Sequence, residues 1–487
     1  MLRVSSCAMR ALHVLAAFLL ISPVYAQQYD LVIAGGRVID PETGLDAVRN
    51  VGISEGKIAR IVETELSGKR VISAKGLIVS PGFIDLHQHG QDLENQRVKA
   101  LDGVTTILEM EIGKPDVTSF LKSQEGHSFL NYGTTASHVA ARSLVLGPPL
   151  PDTGLLPKSG PATNNPATPE QIAKIKDRLR HEVAAGALGF GLGIQYTPGA
   201  TRSEIIQMFQ FAAGNKLPVF THVRSAGKTE PGSSVESVSE VIGAVAVTGA
   251  SLHIVHINSS CGSVVPECMQ MIAGARARGL DVTTEAYPYE AGMTAINSAL
   301  FNPGWQEKYD ISYQNLMLPE TGERLTKERF EELHASNNPQ WVITFTNTMQ
   351  VVDALIPNPL VIIASDGDKG HPRDAGTYSR VLSRYVRELG TVTLMDAIRK
   401  MSLMPAQWLE KSTPDGRKKG RVQEGADADI TVFDLQTIKD HSSYQHPMEP
   451  SVGVQYLLVG GTVVVDQGKI VPNVFPGRAL VGPGKLN

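Results

Sequence analysis

Two histidines that lie two residues apart are the first candidates for chemistry in this chain. His87 and His89 lie at the end of the apolar segment 82–89. Side chains alternate between the two faces of a strand, so both imidazoles would point to one side. Two imidazoles that converge in this way can chelate a divalent metal. The pair alone is weak evidence, and the other histidines and acids decide its meaning.

Three further residues follow or end apolar runs, as strands would deliver them to their carboxyl ends: His222, His256 and Asp366. Asp366 could bind a metal and accept a proton from metal-bound water, so it is the predicted catalytic residue. Each histidine alone could instead be a hydrogen-bonded core or rim residue. His253 should point to the face opposite His256 and is not a predicted ligand. Four histidines at three strand ends favour a shared metal site.

Two glutamates occupy an otherwise apolar predicted strand, 105–112. Burying Glu109 and Glu111 is costly unless they are paired or bind a metal. Two metals in one site require a bridging anion. Glu111 should lie nearer the mouth and is the favoured bridge, with Glu109 in support, although the reverse order is also open. A solvated, salt-bridged face is the alternative to both roles.

Strand and helix patterns alternate through the middle of the chain, which predicts an α/β fold. Apolar strands are expected at 82–89, 105–112, 134–140, 186–194, 218–223, 251–257, 281–286 and 359–365. Helices are expected at 169–185, 202–215, 236–248, 266–278 and 395–400. An open doubly wound sheet is the alternative. Polar residues at many different strand ends, and no Gly-x-Gly-x-x-Gly after the first strand, favour a (β/α)8 TIM-like barrel over 81–410.

The segments that flank the barrel share a β-like pattern. Residues 27–80 and 411–487 each contain an apolar strand, a Gly-Gly pair and another apolar strand. Both ends should therefore build one small β-sandwich module. Residues 147–169 are rich in Pro, Gly, Thr and Asn, and are expected to form a long loop over the barrel mouth or a flexible insertion.

Composition limits the class of protein further. The 487 residues are 42% hydrophobic and 19% charged, with a formal net charge of −4, so no cationic surface is expected to bind nucleic acid or an anionic membrane. Arg3, Arg10 and a short apolar run predict a removable signal peptide over 1–26 rather than a membrane anchor, and hence a secreted or periplasmic protein. Cys261 and Cys268 would remain, either paired or as free thiols.

These motifs resemble the amidohydrolase superfamily, and within it the D-aminoacylase or N-acyl-D-amino-acid deacylase branch. The similar segments are 81–89, 103–106, 191–199, 221–224, 255–256, 365–367, 371–373 and 425–429. The chain departs from the branch where a metal-bridging Cys is common, since Glu109 and Glu111 stand nearby instead. It also has no Lys in 186–194 for a carboxylated bridge. Asn258 replaces a Lys that the branch tends to carry.

The resemblance implies a metal-dependent hydrolase that cleaves the amide bond of N-acyl-amino acids, and the branch implies the D forms, with one or two Zn²⁺ per chain. The implied metal ligands are His87, His89, Glu109, Glu111, His222, His256 and Asp366. One metal, helped by Tyr196 or His138, would polarise the carbonyl, and Tyr287 would line the acyl pocket or simply pack.

Arg224 or Arg373 would bind a substrate carboxylate, although either could be an ordinary ion pair at the rim. A dipeptidase, cyclic amidase or lactonase is the alternative enzyme, and an inactive metal-binding barrel is a third possibility. A binding protein has no need of the proton acceptor Asp366, which argues against the inactive barrel. If the chain is an enzyme, its expected substrate is a small molecule. The sequence leaves the oligomeric state open.

Overall fold

The chain begins with a β-rich segment. A computed structural model describes residues 28–148, 156, 159–336 and 340–485. The predicted signal peptide and part of the 147–169 loop lie outside these residues. The first five strands are β1 (Gln28–Asp40), β2 (Leu45–Ser54), β3 (Lys57–Val62), β4 (Ser67–Ser73) and β5 (Ile78–Pro81). Strand β1 pairs antiparallel with β2 and parallel with β4 and then β5.

The barrel follows directly. Its first seven strands are β6 (Phe83–Asp85), β7 (Val104–Lys114), β8 (Asn131–Ser137), β9 (Phe190–Gly193), β10 (Val219–His222), β11 (Leu252–Ile254) and β12 (Val282–Ala286). A small sheet then intervenes, with β13 (Gly292–Ala295), β14 (Leu316–Met317) and β15 (Trp341–Thr344). Strand β16 (Val361–Ile363) is the eighth of the barrel and pairs with β12.

All neighbouring strands of this eight-stranded sheet are parallel, in the order β16-β12-β11-β10-β9-β8-β7-β6. Past the ends of β6 and β16, a backbone bridge joins Gln88 to Gly367 and brings the two outer strands together. The amide of His89 also donates to the carbonyl of Gly367 at 2.9 Å. The TIM-like barrel predicted from the sequence is confirmed, and each predicted strand overlaps an observed one.

Four strands near the C-terminus complete the β-module: β17 (Ile430–Phe433), β18 (Val454–Val459), β19 (Thr462–Asp466) and β20 (Lys469–Ile470). They join β1–β5 through the antiparallel pair β17·β5. The predicted union of both chain ends is therefore observed. All nine strands are joined in one hydrogen-bonded sheet, and the apolar side chains of both ends share one core.

The α-helices mostly separate the barrel strands. Their bounds are α1 (Leu93–Leu101), α2 (Val117–Gln124), α3 (His138–Leu146), α4 (Pro161–Asn164), α5 (Pro169–Ala185), α6 (Arg202–Asn215), α7 (Ser234–Thr248), α8 (Ile257–Cys261), α9 (Val265–Ala277), α10 (Trp305–Tyr309), α11 (Lys327–Ala335), α12 (Met349–Leu355), α13 (Arg373–Arg380), α14 (Leu394–Ile398) and α15 (Met404–Leu409). Two π-helical segments, Val381–Glu388 and Arg399–Leu403, continue α13 and α14. Among the described residues, no helix is long and apolar enough to cross a membrane.

Helix α5 has the bounds that the sequence predicts because local signals mark both its ends. The Thr168 side chain caps the amide of Gln171, and the Gln171 side chain caps Thr168 in return. Pro169 is the first helical residue, where its missing N–H costs nothing. Gly186 ends the helix in the left-handed conformation that suits glycine.

Two features of the fold were not predicted. Residues between β12 and β16 form an insertion, made of β13–β15, α10 and α11, with its own apolar cluster around Trp305 and Phe330. The last described residues also leave the β-module and return to the barrel. Leu480 is buried there, and its amide donates to the carbonyl of Tyr132 at 2.7 Å. The segment 411–485 therefore contacts the barrel as well as the β-module.

Candidate metal centre and substrate cavity

The His-x-His pair follows β6 at the carboxyl end of the barrel, and each ring is held from behind by a carboxylate. Nδ1 of His87 lies 2.6 Å from Glu285 Oε1, and Nδ1 of His89 lies 2.6 Å from Glu109 Oε2. An ionised carboxylate only accepts hydrogen bonds, so Nδ1 of each ring carries the proton. Nε2 of each ring is then free to bind a metal, and carboxylate support of this kind is usual for metal-binding histidines.

Four donor atoms converge in front of these rings. Nε2 of His87 lies 3.2 Å from Nε2 of His89 and 3.2 Å from Glu111 Oε2. Asp366 Oδ1 lies 3.4 Å and 3.3 Å from the two Nε2 atoms, and Glu111 Oε2 lies 3.3 Å from that of His89. A tetrahedral metal with ligands at about 2.0–2.1 Å requires separations of about 3.3–3.4 Å. The donor set fits one divalent metal.

Glu111 belongs to a second group of donors as well. Its other oxygen, Oε1, lies 2.7 Å from Nδ1 of His222 and 2.9 Å from Nε2 of His256. These atoms could hold a second metal, with Glu111 as the bridge. The structure thus brings together His87, His89, His222, His256, Glu111 and Asp366. Glu109 lies outside both donor groups and supports His89, which is the supporting role that the sequence left open.

The two later histidines are also oriented by hydrogen bonds. Gln195 Oε1 contacts Nε2 of His222, and Ser260 Oγ lies 3.1 Å from Nδ1 of His256. Each ring therefore has one nitrogen bound by a neighbour and the other directed at Glu111. Such fixed rings lose little freedom when a metal binds, which favours affinity.

The charges of the site favour a cation. Burial lowers the pKa of His87, but Asp366, Glu111 and Glu285 together raise it to about 10. Burial would raise the pKa of Asp366, but Arg373 and His87 hold it well below its usual range. The carboxylates are thus ionised at neutral pH and stabilise positive charge between them. A divalent metal supplies that charge to Nε2 atoms that must otherwise be protonated or repel each other.

Two of the donor residues have unusual backbone conformations. His256 has a φ of +30° and Asp366 a φ of +52°. Such angles cost a non-glycine residue about 1–3 kcal/mol and concentrate at functional sites. His256 lies two residues after the end of β11 and Asp366 three residues after the end of β16, so the strained residues are in the turns at the barrel mouth.

A cavity opens in front of the donor atoms and is closed on the far side by the insertion. Its lining includes His89, Glu111, His222, His256, Asp366 and Arg373 from the barrel. The insertion contributes Met293, Leu300, Tyr309 and Trp341. Leu156, from the loop that was expected over the mouth, also lines it. The cavity is therefore polar at the donor atoms and partly apolar opposite them.

Three of the four predicted substrate contacts lie near this cavity. Tyr196 lines it, and its ring packs edge-on against His222 with centroids 4.9 Å apart. Arg373 Nη1 lies 2.9 Å from Asp366 Oδ2. The Arg373 guanidinium also lies 4.6 Å from the ring centre of Tyr287, whose buried hydroxyl has no hydrogen-bond partner among the described residues.

Arg224 and His138 are directed elsewhere. Arg224 forms a two-point ion pair with Glu240, at 2.8 Å and 2.6 Å, and does not line the cavity. It is an ion pair at the rim, which was the alternative interpretation. His138 is buried 3.0 Å from Glu204, which also binds Arg142. His138 therefore does not reach the donor atoms.

The structure adds Glu285 and Gln195 to the site. Glu285 holds His87, and its second oxygen lies 2.9 Å from His253. An acid within the apolar strand 281–286 is the same signal that drew attention to Glu109, and it could have identified Glu285. Gln195 and the insertion's Tyr309 carry no comparable signal, because neither forms a motif with the metal residues.

Comparison with known proteins agrees with this arrangement. The model of the amidohydrolase family matches residues 158–465, which is more than half of the chain. The chain belongs to the amidohydrolase family. This amidohydrolase is similar to the N-acyl-D-glutamate deacylase of Alcaligenes xylosoxydans xylosoxydans, with 29% identity over 493 residues, covering 93% of this chain and 97% of the relative. A D-aminoacylase of the same organism is 26% identical over 474 residues, covering 90% and 95%.

A solved structure shares the fold. The N-acyl-D-glutamate deacylase from Bordetella bronchiseptica, complexed with zinc and a phosphonate inhibitor, superposes with a TM-score of 0.78. It is 24% identical and covers 94% of this chain and 100% of that one. The likeness confirms the barrel with its additional module.

Replacing Glu111 by Ala should remove one donor from each of the two groups. The purified variant should therefore contain less than about a tenth of the metal of the parent protein. Glu109→Gln should retain metal but bind it about 10–100-fold more weakly, because it only supports His89. Elemental analysis and chelator titration measure both effects. Glu331→Ala, an exposed acid on α11, is the control. Full metal content in folded Glu111→Ala would contradict the bridging role.

Proposed function

We propose that this amidohydrolase hydrolyses the amide bond of N-acyl-D-amino acids at a zinc centre. His87, His89, Glu111 and Asp366 would hold one ion, and Glu111, His222 and His256 a second. The observation that carries the proposal is the spacing of four donor atoms, which suits tetrahedral zinc. One of the four is Oε2 of Glu111. The D-amino-acid substrates are inferred from the names of the relatives.

Zinc bound there would lower the pKa of water and polarise a carbonyl group. Asp366 accepts the proton of the attacking water at one carboxylate oxygen and later donates it to the leaving nitrogen. Arg373 keeps Asp366 ionised for the first of these steps. The position of Asp366 among the donor atoms and at the cavity wall supports both transfers.

Tyr196 and Arg373 would contact the substrate itself. The Tyr196 hydroxyl can donate to the carbonyl oxygen, where negative charge develops during attack. Burial raises the pKa of Tyr196 well above its usual value, so the hydroxyl retains its proton. Arg373 offers further guanidinium donors to the substrate's α-carboxylate, beside the Nη1 that faces Asp366.

A cyclic amidase or lactonase is a less suitable alternative. Many amidohydrolases outside the D-aminoacylase branch use a carboxylated Lys on the fourth barrel strand as the metal bridge. Strand β9 has the sequence Phe-Gly-Leu-Gly and offers no Lys, and Glu111 on β7 would be the bridge instead. The donor set therefore argues against the enzymes that use a carboxylated Lys, and the similarity to the N-acyl-D-glutamate deacylase and D-aminoacylase supports the D-aminoacylase branch.

A panel of substrates tests the proposal. Zinc-loaded protein should release free amine from N-acetyl-D-amino acids, at kcat/KM values at least about 100-fold above those for the L enantiomers. The panel should include D-Glu, D-Asp, D-Leu and D-Met, with dihydroorotate and a hydantoin as cyclic controls. Hydrolysis of the cyclic compounds alone would overturn the D-aminoacylase assignment while leaving the metal centre intact.

Asp366→Asn should abolish proton transfer while retaining the metal, because an amide oxygen can still coordinate but cannot accept a proton. The expected loss of kcat is about 10²–10⁴-fold. Steady-state kinetics with parallel elemental analysis measure it. An undiminished rate in a metal-loaded variant would show that another group carries the proton.

We also propose that the chain is exported to an oxidising compartment. The N-terminal pattern supports export, and so does the disulfide between Cys261 and Cys268, a bond that persists in such compartments. Expression of the full chain in a Gram-negative host should yield periplasmic protein. Its intact mass should equal that of a chain that begins at Gln27. Retention of 1–26 in cytoplasmic protein would contradict the proposal.

A further inference from the structure

The end of α10 contacts the metal side of the barrel at three consecutive residues. Lys308 Nζ lies 3.2 Å from Ser225 Oγ, and Asp310 pairs with Lys228 at 2.6 Å. Between them, Tyr309 Oη accepts a hydrogen bond from Gln195 Nε2 at 2.7 Å. The insertion is thus attached to the segments that follow β9 and β10. His222 is the last residue of β10.

Gln195 connects this contact to the metal centre. Its Oε1 binds Nε2 of His222, while Nδ1 of the same ring faces Glu111 at 2.7 Å. With a metal bound between the ring and Glu111, Nδ1 offers its lone pair and Nε2 donates its proton to the amide oxygen, which can only accept. The hydrogen bond from Gln195 Nε2 to Tyr309 holds the other end of the amide in place.

Most of this connection is buried. Gln195 is 4% exposed and His222 is 8% exposed, whereas Tyr309 is partly buried where it lines the cavity. Burial raises the pKa of Tyr309 above its usual value, so its hydroxyl stays protonated at neutral pH. A buried amide without a partner is costly, so the position of Gln195 depends on its hydrogen bond to Tyr309.

We propose that Tyr309 is a positioning residue for the metal centre: through Gln195, it holds the His222 ring with Nδ1 directed at the metal. Tyr309 also lines the substrate cavity. The insertion therefore couples the far wall of the cavity to the proposed metal ligand His222 through two hydrogen bonds. The inference rests on the proposed zinc centre but not on the identity of the substrate.

Zinc affinity of the full-length protein separates this role from simple contact with substrate. Competition with a chromogenic chelator should show zinc bound about 10-fold more weakly by Tyr309→Phe, within the 10–100-fold range usual for groups that orient metal ligands. Gln195→Leu should show a similar loss. A tyrosine that only contacts substrate would change KM and leave zinc affinity unaltered.

A double-mutant cycle tests the order of the contacts. Because Tyr309 acts through Gln195, Tyr309→Phe should have no further effect on zinc affinity in a Gln195→Leu protein. Gln195→Glu should retain zinc, since a carboxylate accepts from Nε2 of His222 and from the tyrosine hydroxyl. Tyr313→Phe is the matched control, because its ring packs on Trp305 and Phe330 within the same insertion.

Parent-like zinc affinity in Tyr309→Phe would overturn the proposal, as would fully additive losses in the double variant. Thermal unfolding of each metal-free variant shows whether the substitution acts on the fold instead. An unchanged midpoint with weakened zinc supports positioning, and a general loss of stability that accounts for the weakened zinc contradicts it. Failure to hydrolyse any N-acyl-D-amino acid would overturn the proposed function while leaving this result intact.

Discussion

The arrangement of the active end of the barrel depends on one buried carboxylate, that of Glu111. Its two oxygens lie within 3.3 Å of four imidazole nitrogens, which come from three different strand ends. Lone pairs and negative charge placed so close together repel unless protons or a metal cation lie among them. Positive charge at this point is therefore the electrostatic condition under which these residues can be buried together, and a bound metal supplies it as well as reactivity.

The fold satisfies that condition through geometry. A closed parallel barrel directs the carboxyl ends of all its strands to one mouth, so residues distant in sequence meet there. Strand β7 is the longest of the eight, and the irregular part of its pairing with β8, between Glu109 and Lys114, takes Glu111 to the mouth. Each histidine is then held by a second residue, such as Glu285 on β12 for His87. The rigidity of the site thus belongs to the barrel and its hydrogen bonds together.

Much of this site could be predicted because its signals are local. Histidines and acids at the ends of apolar runs stand out, and the alternation of side chains along a strand indicates that Glu109 and Glu111 share a face. The caps of α5 are also local, and its bounds follow from them. The choice between Glu109 and Glu111 as bridge required the structure, since parity alone allows both.

The remaining features depend on contacts between distant segments. Arg224 and Arg373 were equal candidates for a substrate carboxylate, and only the position of Glu240 on α7 shows that Arg224 is already paired. His138 ends a predicted strand like the proposed ligands, yet it begins α3 and pairs with Glu204 on α6. The insertion has no pattern that relates it to the metal residues, so its contact with Gln195 could not be anticipated.

The most direct measurement is anomalous diffraction at the zinc absorption edge from crystals of the full-length protein. A peak should lie among His87 Nε2, His89 Nε2, Glu111 Oε2 and Asp366 Oδ1, with Glu111 in contact with any second ion. Active protein with no anomalous peak at these atoms, or with metal bound away from Glu111, would contradict the assignment of this carboxylate as the centre of the site.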